Sequence, residues 1–168
     1  MRWDLIGNFE VLKKGRYAVA TKYFSGSEDF FEDHFPGKPL VPQTLMMEMI
    51  AQAGGVLFGF GFDFNKEVIL AKISEAKFTR EVAAPCDFLI RAELEEEREE
   101  GAWIFGRVSA IKALADRSVA SETVAEMRML LVTFDSLEGG PGKRIVFNNG
   151  FLEHYNIYGV AKASEDKT

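Results

Sequence analysis

The 168-residue sequence contains very little of the chemistry that binds metals or forms cross-links. It has a single cysteine, Cys86, so it predicts no intrachain disulfide and no cysteine-based metal site. Only two histidines are present, and a histidine-rich metal site is therefore equally unexpected. These scarcities predict a protein without a metal or other cofactor, and they favour a reducing, cytoplasmic location.

Positive charge and membrane-spanning segments are also scarce. The formal net charge is −6 and no long basic run occurs, which argues against nucleic acid as the main partner. The N-terminal residues contain no apolar stretch of the length that a signal peptide requires. The longest apolar run, residues 45–62, is interrupted by Glu48, Gln52 and four glycines. We therefore interpret it as a buried helix and not as a membrane span.

The pattern of apolar residues predicts strands around one buried helix. Residues 9–24 alternate as two strands joined by a turn, and residues 44–58 are apolar on nearly every side, which is typical of an enclosed helix. Residues 67–134 then contain strand-like runs separated by turns, as in an antiparallel meander. Residues 1–134 are thus predicted to form one α+β domain, with the helix laid on a curved antiparallel sheet.

Residues 135–168 differ in composition and are predicted to be a C-terminal extension. The segment "SLEGGPGKR" breaks regular structure, and four aromatic residues then follow at helical spacing: Phe147, Phe151, Tyr155 and Tyr158. We expect a short helix that packs this aromatic stripe onto the domain. Gly159 is predicted to end the helix, and residues 162–168 are predicted to be a frayed tail.

One histidine and one glutamate stand out. His34 lies in a loop that three prolines make rigid, and Glu48 is the single charge in the apolar helix. Burial favours the neutral form of a carboxyl, which suits a proton donor, and a histidine is its natural complement as a base. From these two residues alone, a structural role is the stronger interpretation: His34 capping a turn, and Glu48 paired with Arg80 or a backbone amide.

The residues around His34 and Glu48 favour a catalytic role over a structural one. "HFPGKPLVP" followed by "LMMEMIAQA" closely resembles the signature of the β-hydroxyacyl-acyl carrier protein dehydratases of bacterial fatty acid synthesis. The similarity continues in "SGSEDFFEDHFPG" and "AKFTREVAAPCD", and it extends from about Phe9 to Phe134. The resemblance implies the hot-dog fold, a curved antiparallel sheet wrapped around one long helix. It also implies a homodimer, or a trimer of such dimers, with two active sites at the subunit interface.

The resemblance further implies a reaction, in which a 3-hydroxyacyl chain on acyl carrier protein loses water to give the trans-2-enoyl thioester. His34 would take the C2 proton, and Glu48 of the partner subunit would protonate the departing hydroxyl. The carbonyl of Leu40 would accept from the His34 ring. Gln43 stands where the family has a glycine whose amide holds the thioester oxygen. The predicted substrate-binding residues are Phe35, Gly37, Leu40, Gln43, Met49 and Gln52.

The predicted protein partner is acyl carrier protein, which is acidic. Lys72, Lys77 and Arg80 flank the "AKFTREV" segment and would attract such a partner despite the negative net charge. Scattered solubilising charge is an equally good explanation of these three residues.

Two other functions remain open at this point. A thioesterase on the same fold would hydrolyse the acyl thioester, although such enzymes do not usually need the proline-fixed histidine. A non-catalytic acyl-binding hot-dog subunit is the other alternative, and Gln43 together with the C-terminal extension keeps it open. A dehydratase-isomerase relative typically has aspartate where Glu48 stands, so glutamate favours dehydration without isomerisation.

Overall fold

The computed structural model describes residues 4–99, 101–113, 119–135 and 146–166. Its elements, in chain order, are β1 Asn8–Lys13, β2 Tyr17–Phe24, a 3-10 helix Asp29–Phe31, α1 Gln43–Gly61, β3 Glu67–Phe78, β4 Cys86–Arg98, β5 Gly101–Ala113, β6 Val119–Phe134, α2 Asn149–His154 and α3 Ile157–Glu165. The predicted order of two strands, one long helix and then further strands is confirmed.

All six strands join one antiparallel sheet in the order β1-β2-β4-β5-β6-β3. β1 and β3 are therefore its edge strands. The pairing of β3 with β6 shifts register twice, between Leu70 and Lys72 and between Ile73 and Glu75. Such irregularities twist an edge strand and discourage uncontrolled pairing.

α1 packs against the sheet because most of its faces are apolar. Met46, Met49, Ile50 and Ala53 are fully buried. The approach is close where glycine permits it: a Cβ on Gly54 would lie 2.5 Å from Met129 Cε and 3.0 Å from Ile104 Cγ2.

Within the described ranges, α1 is the helix with the length and apolar character to cross a membrane, and 67% of that window is buried inside the protein. The prediction of a core helix is confirmed.

The C-terminal extension forms two helices where one was predicted. Asn148 caps α2 by accepting from the Phe151 N–H, and Asn156, with φ of 47°, separates α2 from α3. Gly159 lies inside α3, so the prediction that it ends a helix is wrong. α3 continues to Glu165, so the predicted frayed tail is wrong over residues 162–165. The whole of the predicted breaker "SLEGGPGKR", residues 136–144, lies outside the described residues.

The extension packs on the domain as predicted. Tyr155 meets Phe9 edge to face with ring centroids 5.6 Å apart. The buried Ser164 hydroxyl accepts from the Leu12 N–H at 3.0 Å, which ties α3 to β1. Phe147, Leu152 and Ile157 belong to the same hydrophobic core as α1. The extension is thus one side of the domain core.

Candidate active site

The loop that carries His34 is shaped by backbone hydrogen bonds. Phe35 and Lys38 exchange two of them, at 3.0 and 2.9 Å, around a tight turn. Gly37 lies in that turn with φ of 74°, a conformation that other residues rarely adopt. The Leu40 N–H donates to the His34 carbonyl at 3.2 Å and closes the loop. These hydrogen bonds together fix the position of the His34 backbone.

The imidazole of His34 is half-buried and stacks on the Phe35 ring, with centroids 4.3 Å apart and planes 26° from parallel. Its Nδ1 atom is buried and has no hydrogen-bond partner in the described part of the chain. The predicted bond from this ring to the Leu40 carbonyl is therefore not formed in the single chain. Leu40 contacts His34 through the backbone instead. A buried nitrogen without a partner is uncommon and often marks a functional group.

His34 lines a cleft of about 340 Å³ at the N-terminus of α1, which we call the histidine cleft. Its lining residues are His34, Phe35, Leu40, Val41, Pro42, Gln43, Thr44 and Glu81. Pro42 precedes the helix and no side chain caps it, so the first amides have no side-chain acceptor. The helix dipole makes this end attractive to a negatively charged oxygen.

Three of the predicted binding residues, Phe35, Leu40 and Gln43, thus meet His34 in the histidine cleft. Gln43 is exposed and does not fill the space. Gly37 is outside the cleft lining, and a Cβ built on it would contact nothing within 4 Å. The positive φ gives Gly37 a role in the turn, and its contact with substrate stays a prediction.

Glu48 is exposed on the side of α1 that the sheet leaves uncovered. The prediction that the helix itself buries this carboxyl is wrong for the single chain, because an apolar sequence does not reveal which face lacks a neighbour. Gln52 donates from Nε2 to Glu48 Oε1 at 3.0 Å, a contact that holds the carboxyl in place. Arg80 bonds to Glu122 at 2.8 Å, so the alternative pairing of Glu48 with Arg80 is not formed.

A second cavity, of about 410 Å³, lies beside Glu48, and we call it the glutamate cavity. Its lining residues are Asp4, Glu48, Ala51, Gln52, Gly55, Val68, Ile69, Leu70, Leu131, Val146, Phe147, Phe151 and Tyr155. His34 and Glu48 line different spaces in the single chain. Met49 lines neither cavity and is fully buried, so it is a core residue in the single chain and its role in binding substrate stays a prediction.

No pattern in the sequence indicated Asp4 as a lining residue. The aromatic lining residues of the extension had a signal, their helical spacing, which predicts that they pack against the domain.

Metal-binding clusters and the single cysteine are the other reactive features of the described residues to consider. No group of three or more histidine, cysteine, aspartate or glutamate residues that could hold a metal occurs among the described residues. Burial, together with the nearby carboxylates of Asp87 and Glu28, raises the pKa of the Cys86 thiol to about 12. A thiol with that pKa is almost never ionised near neutral pH and is a poor nucleophile.

The predicted docking cations are partly neutralised by acidic neighbours. Glu75 accepts from Lys77 at 2.8 Å, and this hydrogen bond and charge raise the pKa of Lys77 and lower that of Glu75. Arg80 pairs with Glu122. The field that Lys77 and Arg80 present to an acidic partner is therefore weaker than their number suggests.

Comparison with known proteins gives a consistent result. A FabA-like domain matches residues 6–127. The 3-hydroxyacyl-[acyl-carrier-protein] dehydratase FabZ of Chlamydia trachomatis is 36% identical over 121 residues, covering 70% of this chain and 72% of the relative. The FabZ of Hydrogenobaculum sp. is 43% identical over 89 residues, covering 51% of this chain and 60% of the relative.

Solved structures show the same fold. An uncharacterized protein from Pyrococcus horikoshii aligns with a TM-score of 0.57 at 19% identity, over 79% of this chain and 85% of the other. A chain of the dehydratase heterocomplex ApeI:P from Xenorhabdus doucetiae aligns with a TM-score of 0.53 at 18% identity, over 70% and 88%.

The sheet, the central helix and these matches define a hot-dog protein. More particularly, the chain belongs to the FabA-like family, which confirms the resemblance found in the sequence. Residues 128–168 lie beyond the family match.

Proposed function

We propose that this protein removes water from a (3R)-hydroxyacyl chain on acyl carrier protein to give the trans-2-enoyl thioester, in the synthesis of fatty acids or related lipids. Membership of the family supports this reaction class. The observation that carries the proposal is the histidine cleft, where an imidazole with an unpaired ring nitrogen lies beside the uncapped start of a helix.

In the proposed mechanism His34 is the base. It takes the C2 proton, and the electron pair of that C–H bond becomes the C2–C3 double bond while the C3–O bond breaks. Glu48 supplies the proton with which the departing hydroxyl leaves as water. A positioned acid or base of this kind contributes about 10²- to 10⁴-fold to the rate.

Negative charge develops on the thioester oxygen as the C2 proton leaves. We assign the Gln43 amide as its donor, because α1 begins there without a side-chain cap. A backbone amide is present whatever the side chain, so glutamine in place of the family's glycine retains the donor.

A complete site needs two chains in this proposal. Because His34 and Glu48 line different spaces in one chain, we propose that His34 faces Glu48 of the partner subunit in a homodimer, or in a trimer of such dimers. The uncovered side of α1 and the edge strand β3, with Leu70 39% exposed, are surfaces that a second chain would cover. That contact would also remove water from Glu48.

The experiment is an assay with 3-hydroxyacyl-acyl carrier protein that records enoyl absorbance and free thiol separately. Dehydration predicts enoyl absorbance without thiol release. Thiol release would identify a thioesterase instead, and acyl binding without either signal would identify a non-catalytic subunit. His34→Ala and Glu48→Gln are each expected to lower turnover by at least about 10²-fold while the dimer persists.

A further inference from the structure

The glutamate cavity is closed on one side by residues that the family match does not include. The match ends at residue 127, whereas Val146, Phe147, Phe151 and Tyr155 line the cavity. The other lining residues come from α1, from the start of β3, from β6 and from the N-terminal segment. This chain therefore completes the space beside Glu48 with its own C-terminal extension. We call residues 146–155 the closing segment.

Both ends of the closing segment are held by specific hydrogen bonds. At its start, the Val146 N–H donates to Glu67 Oε2 at 3.1 Å, and Glu67 is only 2% exposed. At its end, the Tyr155 hydroxyl bonds to the Asp4 carboxylate and lies 3.2 Å from the Ile6 carbonyl. Buried polar anchors of this kind fix a backbone in one position, since a broken bond would leave a buried group unpaired.

Phe147 packs against α1 at two glycines, Gly55 and Gly59, where the helix presents no side chain. Its ring lies 5.1 Å from the Phe64 ring and is 4% exposed. A Cβ built on Gly59 would lie 3.0 Å from Phe147 Cε2, and one built on Gly55 would lie 3.6 Å from Phe147 Cζ. The two glycines, one helical turn apart, thus make room for this ring.

The cavity follows one face of α1. Its helical lining residues run from Glu48 through Ala51 and Gln52 to Gly55, a span of about 10 Å at the rise of an α-helix. Phe147 packs at the Gly55 end. Most of the other lining side chains are apolar: Val68, Ile69, Leu70, Leu131, Val146 and Phe151. Such a space fits an unbranched hydrocarbon chain whose reactive end lies near Glu48.

We propose that the closing segment sets the maximum acyl chain length of this protein, with Phe147 and Phe151 as the specificity-determining residues. The inference rests on the proposed function, because it places the acyl chain beside Glu48. Each methylene that enters the cavity is expected to improve affinity roughly fourfold, and the gain is expected to end where the chain meets these rings.

The test uses variants with opposite effects. Phe151→Ala enlarges the cavity, so affinity is expected to keep rising with acyl chain length beyond the limit of the unaltered protein. Phe151→Leu is expected to have an intermediate limit. Gly55→Ala adds a methyl group inside the cavity at an ordinary contact distance from Phe147, so the gain in affinity with chain length is expected to end at a shorter chain. Phe62→Ala is the matched control, because Phe62 is also a partly buried phenylalanine but lies outside the cavity lining. Its chain-length profile should equal that of the unaltered protein.

Two readouts are recorded for each variant: dissociation constants of acyl-pantetheine thioethers of graded length, and dehydration rates of the matching acyl carrier protein substrates. Opposite shifts in Phe151→Ala and Gly55→Ala support the proposal. Unchanged profiles in all folded variants would overturn it even if the protein dehydrates its substrates. Length-dependent binding that shifts as predicted, without any dehydration, would retain the closing segment and reject the proposed reaction.

Discussion

The imidazole of His34 is positioned by the backbone of its own loop. The Phe35–Lys38 turn and the Leu40 amide fix the chain around it, whereas Nδ1 of the ring has no hydrogen-bond partner among the residues that the structure describes. The sequence predicted the rigid loop, because proline spacing is a local property. It did not predict the missing ring partner, because a hydrogen bond to a particular carbonyl depends on loop geometry that composition does not encode.

Gln43 offers a direct test of the helix N-terminus. Proline is well tolerated at the first helical position, and Pro42 already has the extended conformation, with ψ of 134°, that the residue before a proline requires. Gln43→Pro should therefore fold and lose only the amide N–H. We expect a loss of about 10²- to 10³-fold in kcat, the usual effect of removing one oxyanion donor.

Gln43→Gly is the matched control, since it keeps the amide and restores the residue typical of the family. It should retain most of the activity of the unaltered protein. Equal activity in the proline and glycine variants, measured by steady-state kinetics, would remove the amide from the mechanism.

Cys86 tests the effect of burial on a single group. With a pKa of about 12 in place of 9.0, its thiolate fraction near neutral pH is about a thousandfold lower than that of an ordinary thiol. Alkylation by iodoacetamide at mildly alkaline pH should be slower by a similar factor in the folded protein than in urea. Comparable rates in the two states, followed by mass spectrometry, would contradict the assigned environment.

At the scale of elements, α1 was the most predictable feature and its surroundings the least. A long apolar run between a proline and glycines predicts a buried helix from residue types alone. Which side of it lies open depends on the sheet, and Glu48 proved to lie on that open side. The two C-terminal helices were predicted as one, because the helical spacing of the aromatic residues continues across Asn156, whose left-handed conformation separates the helices.

Gly106 on β5 tests how closely α1 packs on the sheet. A Cβ at this position would overlap Ile50 Cγ2 of α1, and a β-branched side chain has little freedom to move away. Gly106→Ala should lower the free energy of unfolding by about 1–3 kcal/mol, as overpacking of a core usually does. Denaturant unfolding measures this change.

Gly61→Ala is the comparison, because a Cβ at Gly61 meets nothing within 4 Å. It should leave the free energy of unfolding within about 1 kcal/mol of the unaltered protein, on the stabilising side, since alanine is the better helix residue. Equal effects of the two substitutions on the free energy of unfolding would contradict the close contact between α1 and β5 at Gly106.

At the scale of the whole molecule, the extension joins the two ends of the chain into one core. Tyr155 bonds to Asp4, and His154 Nε2 lies 3.6 Å from the same carboxylate. The sequence predicted that the aromatic stripe packs on the domain, since apolar spacing indicates a buried face. It did not indicate Asp4 or Glu67 as anchors, because pairs this distant in the chain leave no local pattern.

Tyr155→Phe removes one hydroxyl from this junction and leaves the ring. We expect a loss of about 1.5–3 kcal/mol in the free energy of unfolding, the usual contribution of a hydrogen bond to a charged group. Tyr158→Phe is the control, because Tyr158 is 53% exposed. It should be nearly neutral in urea titrations, and a similar loss in both variants would argue against the Asp4 anchor.

The central claim is that one active site combines His34 with Glu48 of the partner subunit, and complementation between two inactive variants tests it most directly. His34→Ala and Glu48→Gln proteins are each purified, mixed under conditions that exchange subunits, and assayed for dehydration. A shared site predicts recovery to about a quarter of the unaltered activity, since half of the dimers are mixed and each mixed dimer restores one of its two sites. Verified subunit exchange with no activity above that of either variant would contradict the account.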